Sequence, residues 1–267
     1  RLRVWGSVGY ILTAVVLGSA MKRAHAGVIF LGGALAYVGC TVTALRMRPS
    51  AGQPIDTGPA GIVRQDLAAF RPLIPFFLGC LIVAASGGTL RNFFGIDLMA
   101  KGGSMGLVGL SWAIGVTAEV LVMLRGPRLL ARFGARGLLL AGCLATVLRW
   151  TLYAALTDPL LIVAVSPLHA LTFASFYLGS MDYLEQRTPA ALRTTGQGLF
   201  SAVTFGVGHT LGNLLSGWLF EPLGMSRLYL VNAILAVIGT AVLGLTMAPA
   251  REVAGDPRAA RAGDAGA

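Results

Sequence analysis

Apolar residues run along this chain in long blocks separated by short polar breaks. The blocks fall near 4–21, 27–45, 72–90, 105–124, 137–156, 160–179, 196–219 and 228–247. Each is close to the roughly 20 residues a helix needs to cross the hydrocarbon core of a bilayer. In lipid every backbone polar group must be satisfied within its own segment, so such blocks are helices. The pattern therefore predicts an all-α integral membrane protein with about eight transmembrane helices. The longest polar break, 46–70, holds Pro49, Pro54 and Pro59 and reads as a linker. The end of the chain, 249–267, is rich in Ala, Gly, Arg and Asp and reads as a disordered tail. The expected division is thus 1–45 as two helices, 46–70 as linker, 71–248 as a six-helix bundle, and 249–267 as tail.

Composition supports this picture. Only 12% of the 267 residues are charged and 55% are hydrophobic, against roughly 25% charged in a soluble domain. The net charge of +10 does not point to nucleic acid, because the basic residues sit in short loops between apolar blocks. About fifteen of the 21 Lys and Arg fall on one side if the linker is cytoplasmic, and about five on the other. That excess places the linker and C-terminus on the cytoplasmic side, and the expected location is the inner (cytoplasmic) membrane. Cys40, Cys80 and Cys143 lie singly in different blocks and form no metal or disulfide spacing. No metal and no cofactor are expected. The chain opens on Arg1 directly in an apolar block, with no signal peptide. Two helices before a central linker and six after it are expected for a twelve-helix protein whose first four helices are absent.

The candidate chemistry lies in ionisable residues at membrane depth, which are costly unless they face a cavity or a partner. Glu119, Arg149 and His169 sit near the middle of three consecutive blocks, so an acid, a base and an imidazole can meet in one buried network. Trp112, Gly115 and Glu119 share a helical face, as do His169, Thr172 and Phe176. Arg3, Gly6 and Tyr10 repeat the pattern in the first block. An arginine beside an aromatic ring suits a flat or anionic ligand. Each has a plainer reading. Glu119 and Arg149 also fit a structural ion pair, His169 a helix-to-helix hydrogen bond, and Arg3 an interfacial cation. Arg91 reads as an interfacial anchor. His209 and Asn213, beside Gly208 and Gly212, read as close helix packing with a polar hydrogen bond.

Several of these stretches carry a resemblance. Gly126-Pro-Arg-Leu-Leu-Ala-Arg-Phe-Gly-Ala-Arg136 resembles the cytoplasmic loop motif of the major facilitator superfamily, with Ala131 where that motif usually has Asp. Trp112-Ala-Ile-Gly-Val-Thr-Ala-Glu-Val120, Leu148-Arg-Trp150 and Leu168-His-Ala-Leu-Thr-Phe173 resemble the phenylpropionate permease group, which is related to lactose permease and nucleoside symporters. The opening Arg1–Tyr10 stretch is similar to the fifth helix of that group. The resemblance implies a major-facilitator-type bundle: the last two helices of an N-terminal half, then the C-terminal six. It implies a proton-coupled symporter working by alternating access, monomeric when full length, with a small organic solute and protons as partners in the lipid bilayer. By position it implies that Arg3 and Tyr10 contact the solute; the buried groups and shared helical faces add Trp112, Arg149 and Thr172 as expected solute contacts and Glu119 and His169 as the expected proton-coupling pair. The lactose permease has a Glu where this chain has Thr172, which leaves Glu119 as the buried carboxylate. An aromatic carboxylate is the solute expected first, a sugar or nucleoside second. Two readings of other classes stand beside it. A non-transporting piece of a transporter is one. A membrane enzyme is the other, for which His25, His169 and His209 offer no metal motif.

Overall fold

The computed structural model describes Gly9, residues 27–46 and residues 68–247. Arg3, Tyr10, the first apolar block, most of the linker and the tail lie outside the described residues. The chain divides into two compact units, Arg1–Ala69 and Phe70–Ala267.

In the first unit, Gly27–Arg46 forms helix α1. Phe30, Leu31, Leu35, Tyr37 and Leu45 stand exposed along it, a surface suited to lipid and not to water. Its Thr41 and Thr43 hydroxyls donate to the carbonyls of Tyr37 and Gly39 at 2.9 and 2.7 Å, so even the polar side chains are satisfied within the helix. Arg46 occupies the last turn, where a cation complements the exposed carbonyls.

Among its described residues the second unit consists of helices joined by short turns, with no strand. Its elements are α2 (Ile74–Ala85), α3 (Gly88–Ala100), α4 (Met105–Leu124), α5 (Gly126–Ala155), α6 (Pro159–Ala164), α7 (Phe176–Arg187), α8 (Arg193–Ser201) and α9 (His209–Thr246). Two π-helical segments, Ala170–Ser175 and Ala202–Gly208, lead into α7 and α9. Four stretches are long and apolar enough to cross a membrane: Arg71–Ala100, Met105–Leu124, Gly126–Ala155 and Ala190–Thr246.

Local chemistry sets the breaks. Ser104 caps α4 by accepting from the Leu107 N–H at 3.3 Å, and Asp158 caps α6 by accepting from Leu160 at 2.7 Å. Inside the long stretches the breaks fall at Gly134 (φ 67°, ψ 169°) and Gly224 (φ 67°, ψ 173°). That backbone region is essentially closed to residues with a Cβ. The blocks expected at 196–219 and 228–247 are therefore two helices that join at Gly224, where the backbone is not helical. The block expected to end at Leu90 instead runs on to Ala100, because the short turn after Ala85 does not stop the helix.

Packing follows the small residues. A Cβ on Gly212 would collide with the Ala85 carbonyl, one on Gly88 with the Gly212 carbonyl, and one on Gly208 would lie 2.9 Å from the Leu81 carbonyl. In lipid there is little hydrophobic drive between helices, so this close backbone approach is what seats α9 on α2 and α3. Thr89 and Ser216 add a buried hydroxyl pair at 3.1 Å, and the Trp150 indole N–H donates to Ser86 at 3.0 Å. Leu110, Leu144, Leu148, Leu214, Trp218 and Leu245 point outward. Apolar residues cover the outside and polar ones are kept inside, the inverse of a water-soluble bundle.

Candidate functional site

Three helical segments converge on His169. Helix α4 supplies Trp112, Gly115 and Glu119. Helix α5 supplies Arg149 and Tyr153. The segment after Pro167 supplies His169 itself. Proline breaks the ladder between α6 and the π-helical turn, and the His169 N–H reaches only to the Ser166 carbonyl, at 2.9 Å. Ser111 of α4 and Ser166 form a buried hydroxyl–hydroxyl hydrogen bond that pins this turn against α4. Gly115 makes the approach possible: a Cβ there would lie 3.1 Å from the His169 Cβ. The shared face of Trp112, Gly115 and Glu119 is thus the face turned to the imidazole.

The Glu119 carboxylate lies 3.4 Å from His169 Nε2, and Arg149 Nη1 lies 3.2 Å from His169 Nδ1. A guanidinium only donates, so Nδ1 accepts and the ring proton sits on Nε2, facing the carboxylate. Glu119 and Arg149 do not touch directly; the imidazole bridges them. Both are nearly sealed, at 6% and 4% exposure, depths at which an unpaired charge is not tolerated. Every Arg149 nitrogen finds an acceptor. Nη1 also reaches the Thr172 hydroxyl at 3.3 Å, while Nε and Nη2 reach the Tyr153 hydroxyl at 3.4 and 3.3 Å. The guanidinium also lies over the Trp150 and Tyr153 rings, 5.6 and 5.3 Å from their centroids.

The network opens on a cavity of about 230 Å³. Trp112, Arg149, His169 and Thr172 line one side, and Glu119 stands behind His169, out of the lining. Phe173 and Phe205 line the cavity from the two π-helical segments. Such segments rotate side chains out of register with the α-helical face and recur at functional sites. Arg3 and Tyr10 lie outside the described residues, so the structure does not locate them.

Two residues sit differently from the sequence expectation. Arg91 lines the cavity instead of anchoring the interface, and its Nε donates to the Asn213 side-chain oxygen at 3.4 Å. His209 also lines the cavity, beside the Phe205 ring at 5.4 Å between centroids. Two residues were not anticipated at all. Tyr153 holds Arg149; its position one turn after the arginine was the available signal. Asp97 is buried and pairs with Lys101 at 2.9 Å; it was hidden by ending the block at Leu90. Among the described residues no three His, Cys, Asp or Glu side chains converge as metal ligands.

Comparison with known proteins sets this geometry in a family. The chain is 28% identical to the maltose permease of Geobacillus stearothermophilus over 264 residues, covering 96% of this chain and 65% of that protein. It is 27% identical to the probable 3-phenylpropionic acid transporter of Escherichia coli strain K12, covering 84% of this chain and 59% of that one. It is 25% identical to the nucleoside permease NupG of the same strain, covering 82% and 56%. The chain therefore spans less than two thirds of the length of these relatives. Among solved structures, the nucleoside transporter NupG superposes with a TM-score of 0.72 at 21% identity, covering 91% of this chain and 66% of that one. A mutant of NupG gives 0.75, covering 92% and 67%. The profile of the MFS_1 like family matches residues 1–231, and the chain belongs to that family of multi-pass membrane proteins.

Proposed function

We propose that the full-length protein is a proton-coupled secondary transporter of a small organic solute, working by alternating access around the cavity beside His169. The observation that carries this reading is the sealed Glu119–His169–Arg149 bridge opening on that cavity. With Nε2 protonated, the imidazole donates to Glu119 and accepts from Arg149. An added proton, held on the imidazole, turns Nδ1 into a donor facing a donor. Arg149 then loses one acceptor and its Nη1 is freed toward the cavity. Proton uptake and a solute acceptor are linked in this way through one rotation of the guanidinium. Trp112 and Thr172 complete that wall. Six membrane spans in residues 71–248, with the stretch Pro159–Arg187 and both arms about Gly224 each crossing once, fit the helix lengths. The excess of Lys and Arg in alternate loops favours an inner membrane with the C-terminus inside.

An aromatic carboxylate is the solute that the cationic and aromatic lining supports first, in keeping with the similarity to the probable 3-phenylpropionic acid transporter. A sugar or nucleoside is the second reading, supported by the maltose and nucleoside permeases among the relatives. The test is Glu119→Gln in the full-length protein, reconstituted in proteoliposomes. Uphill uptake under a pH gradient should be lost while solute exchange persists. Uphill uptake at the wild-type rate would remove Glu119 from the coupling.

A further inference from the structure

The two arginines on the cavity are in opposite situations. Arg149 is buried, bridged to Glu119, and has an acceptor for each nitrogen. Arg91 lies within the membrane-crossing stretch Arg71–Ala100, yet its one side-chain partner among the described residues is the neutral amide of Asn213. None of the ion pairs of the described residues involves Arg91. Its Nη1 group folds back over Gly87, where a Cβ would lie 2.7 Å away, so the fork is held beside the cavity. The His209 ring stands on the same wall, 5.4 Å from the Phe205 ring. Arg91 is itself exposed, and with no acidic partner among the described residues its guanidinium is open to an anion that is not part of the fold. Between Arg91 and the His169 side the wall is aromatic. His169 stacks on Phe173 at 5.7 Å, Phe173 meets Phe205 at 6.2 Å, and Phe205 meets His209 at 5.4 Å.

We propose that Arg91, held by Asn213 and flanked by His209, is the carboxylate-binding group of the cavity, and that the solute is an aromatic monocarboxylate whose ring lies along Phe173 and Phe205. This rests on the transporter reading above and narrows its solute class. A carboxylate meets the guanidinium fork in two parallel charge-assisted bonds, which a neutral amide cannot reproduce. Arg149 keeps its own acceptors until the proton arrives, so charge recognition and proton coupling fall to different arginines.

The test uses the full-length protein in proteoliposomes, with labelled 3-phenylpropionate entering down its gradient and 3-phenylpropionamide as neutral competitor. Arg91→Gln should raise KM for the acid by about tenfold to a hundredfold, the span of a charged hydrogen bond. The inhibition constant of the amide should move less than about twofold, and Arg91→Lys should fall between. Equal weakening of acid and amide would make Arg91 a structural residue and overturn the proposal. Should Arg91→Gln fail to fold, Asn213→Ala retains the charge but releases the fork. It should raise KM for the acid several-fold and spare the amide; an unchanged KM overturns the proposal. A wild-type protein that does not prefer the acid overturns the carboxylate subsite alone. Glu119→Gln is read with whatever solute the protein carries, so the two failures are distinguishable.

Discussion

The second unit has two cores, and they are built differently. Around Phe76, Leu139, Phe200 and Leu184 the interior is apolar, with Cys80 and Cys143 as small fillers and a weak 3.9 Å contact between the Cys80 thiol and the Ser180 hydroxyl. Around Trp150, Tyr153, Tyr229 and Leu98 the interior is equally tight, but Tyr153 turns its hydroxyl to Arg149 and Trp150 lies under the guanidinium. The first core fills space. The second also positions a charge. In a membrane this matters because the surrounding lipid is as apolar as the core, so packing and internal hydrogen bonds decide geometry more than burial does.

The contrast can be broken experimentally, beginning where the effect should be largest. Gly212→Leu drives a side chain into the Ala85 carbonyl and should abolish the monodisperse folded protein in detergent. Gly217→Leu, on the same helix with nothing within 4 Å, should leave it unchanged. Equal behaviour of the two would remove close α9–α2 contact as the organising feature. Phe200→Ala in the apolar core should lower stability toward the lower end of the ~3–5 kcal/mol seen for such truncations, because lipid supplies little transfer term. Because Phe200 packs on the cavity-lining Phe205 at 5.7 Å, the solute KM should shift slightly through Phe205; a large KM change would show that this core is not merely packing. Tyr153→Phe removes the acceptor of two Arg149 nitrogens and should cost about 1–3 kcal/mol. Here the sharper readout is transport, with uphill uptake falling more than exchange; a fall in Tm with normal uptake would reduce Tyr153 to a packing residue. Arg193→Ala breaks a half-exposed pair with Glu185 at 2.9 Å and should shift stability by about 1 kcal/mol or less. A larger shift would place that pair in a wider network.

The parts of the fold that are periodic were legible before any coordinates. Met105–Leu124 is a helix over the bounds its apolar run predicts, and Gly27–Arg46 differs from its run by one residue. The stripe Trp112, Gly115, Glu119 faces one neighbour because i, i+3, i+7 spacing leaves no alternative in an α-helix. Boundaries were less legible where a turn does not interrupt the helical path. Arg91 was misjudged and Asp97 missed for that single reason: the span was expected to end at Leu90, and both residues lie beyond it. The π-helical segments carry no period that a sequence window detects, so the cavity positions of Phe173 and Phe205 were not anticipated.

By itself the sequence determined that this is a helical membrane protein, which face of each long helix carries its ionisable residue, and which family it resembles. Hydrophobic period and the cost of charge in lipid are local properties, written residue by residue. Only the tertiary structure decided that His169 stands between Glu119 and Arg149, that Tyr153 caps the guanidinium, and that Arg91 shares the cavity with no acidic partner among the described residues. These are relations across helices far apart in the chain. They depend on how closely glycines let the backbones approach and on how a π-helical turn rotates the side chains beyond it.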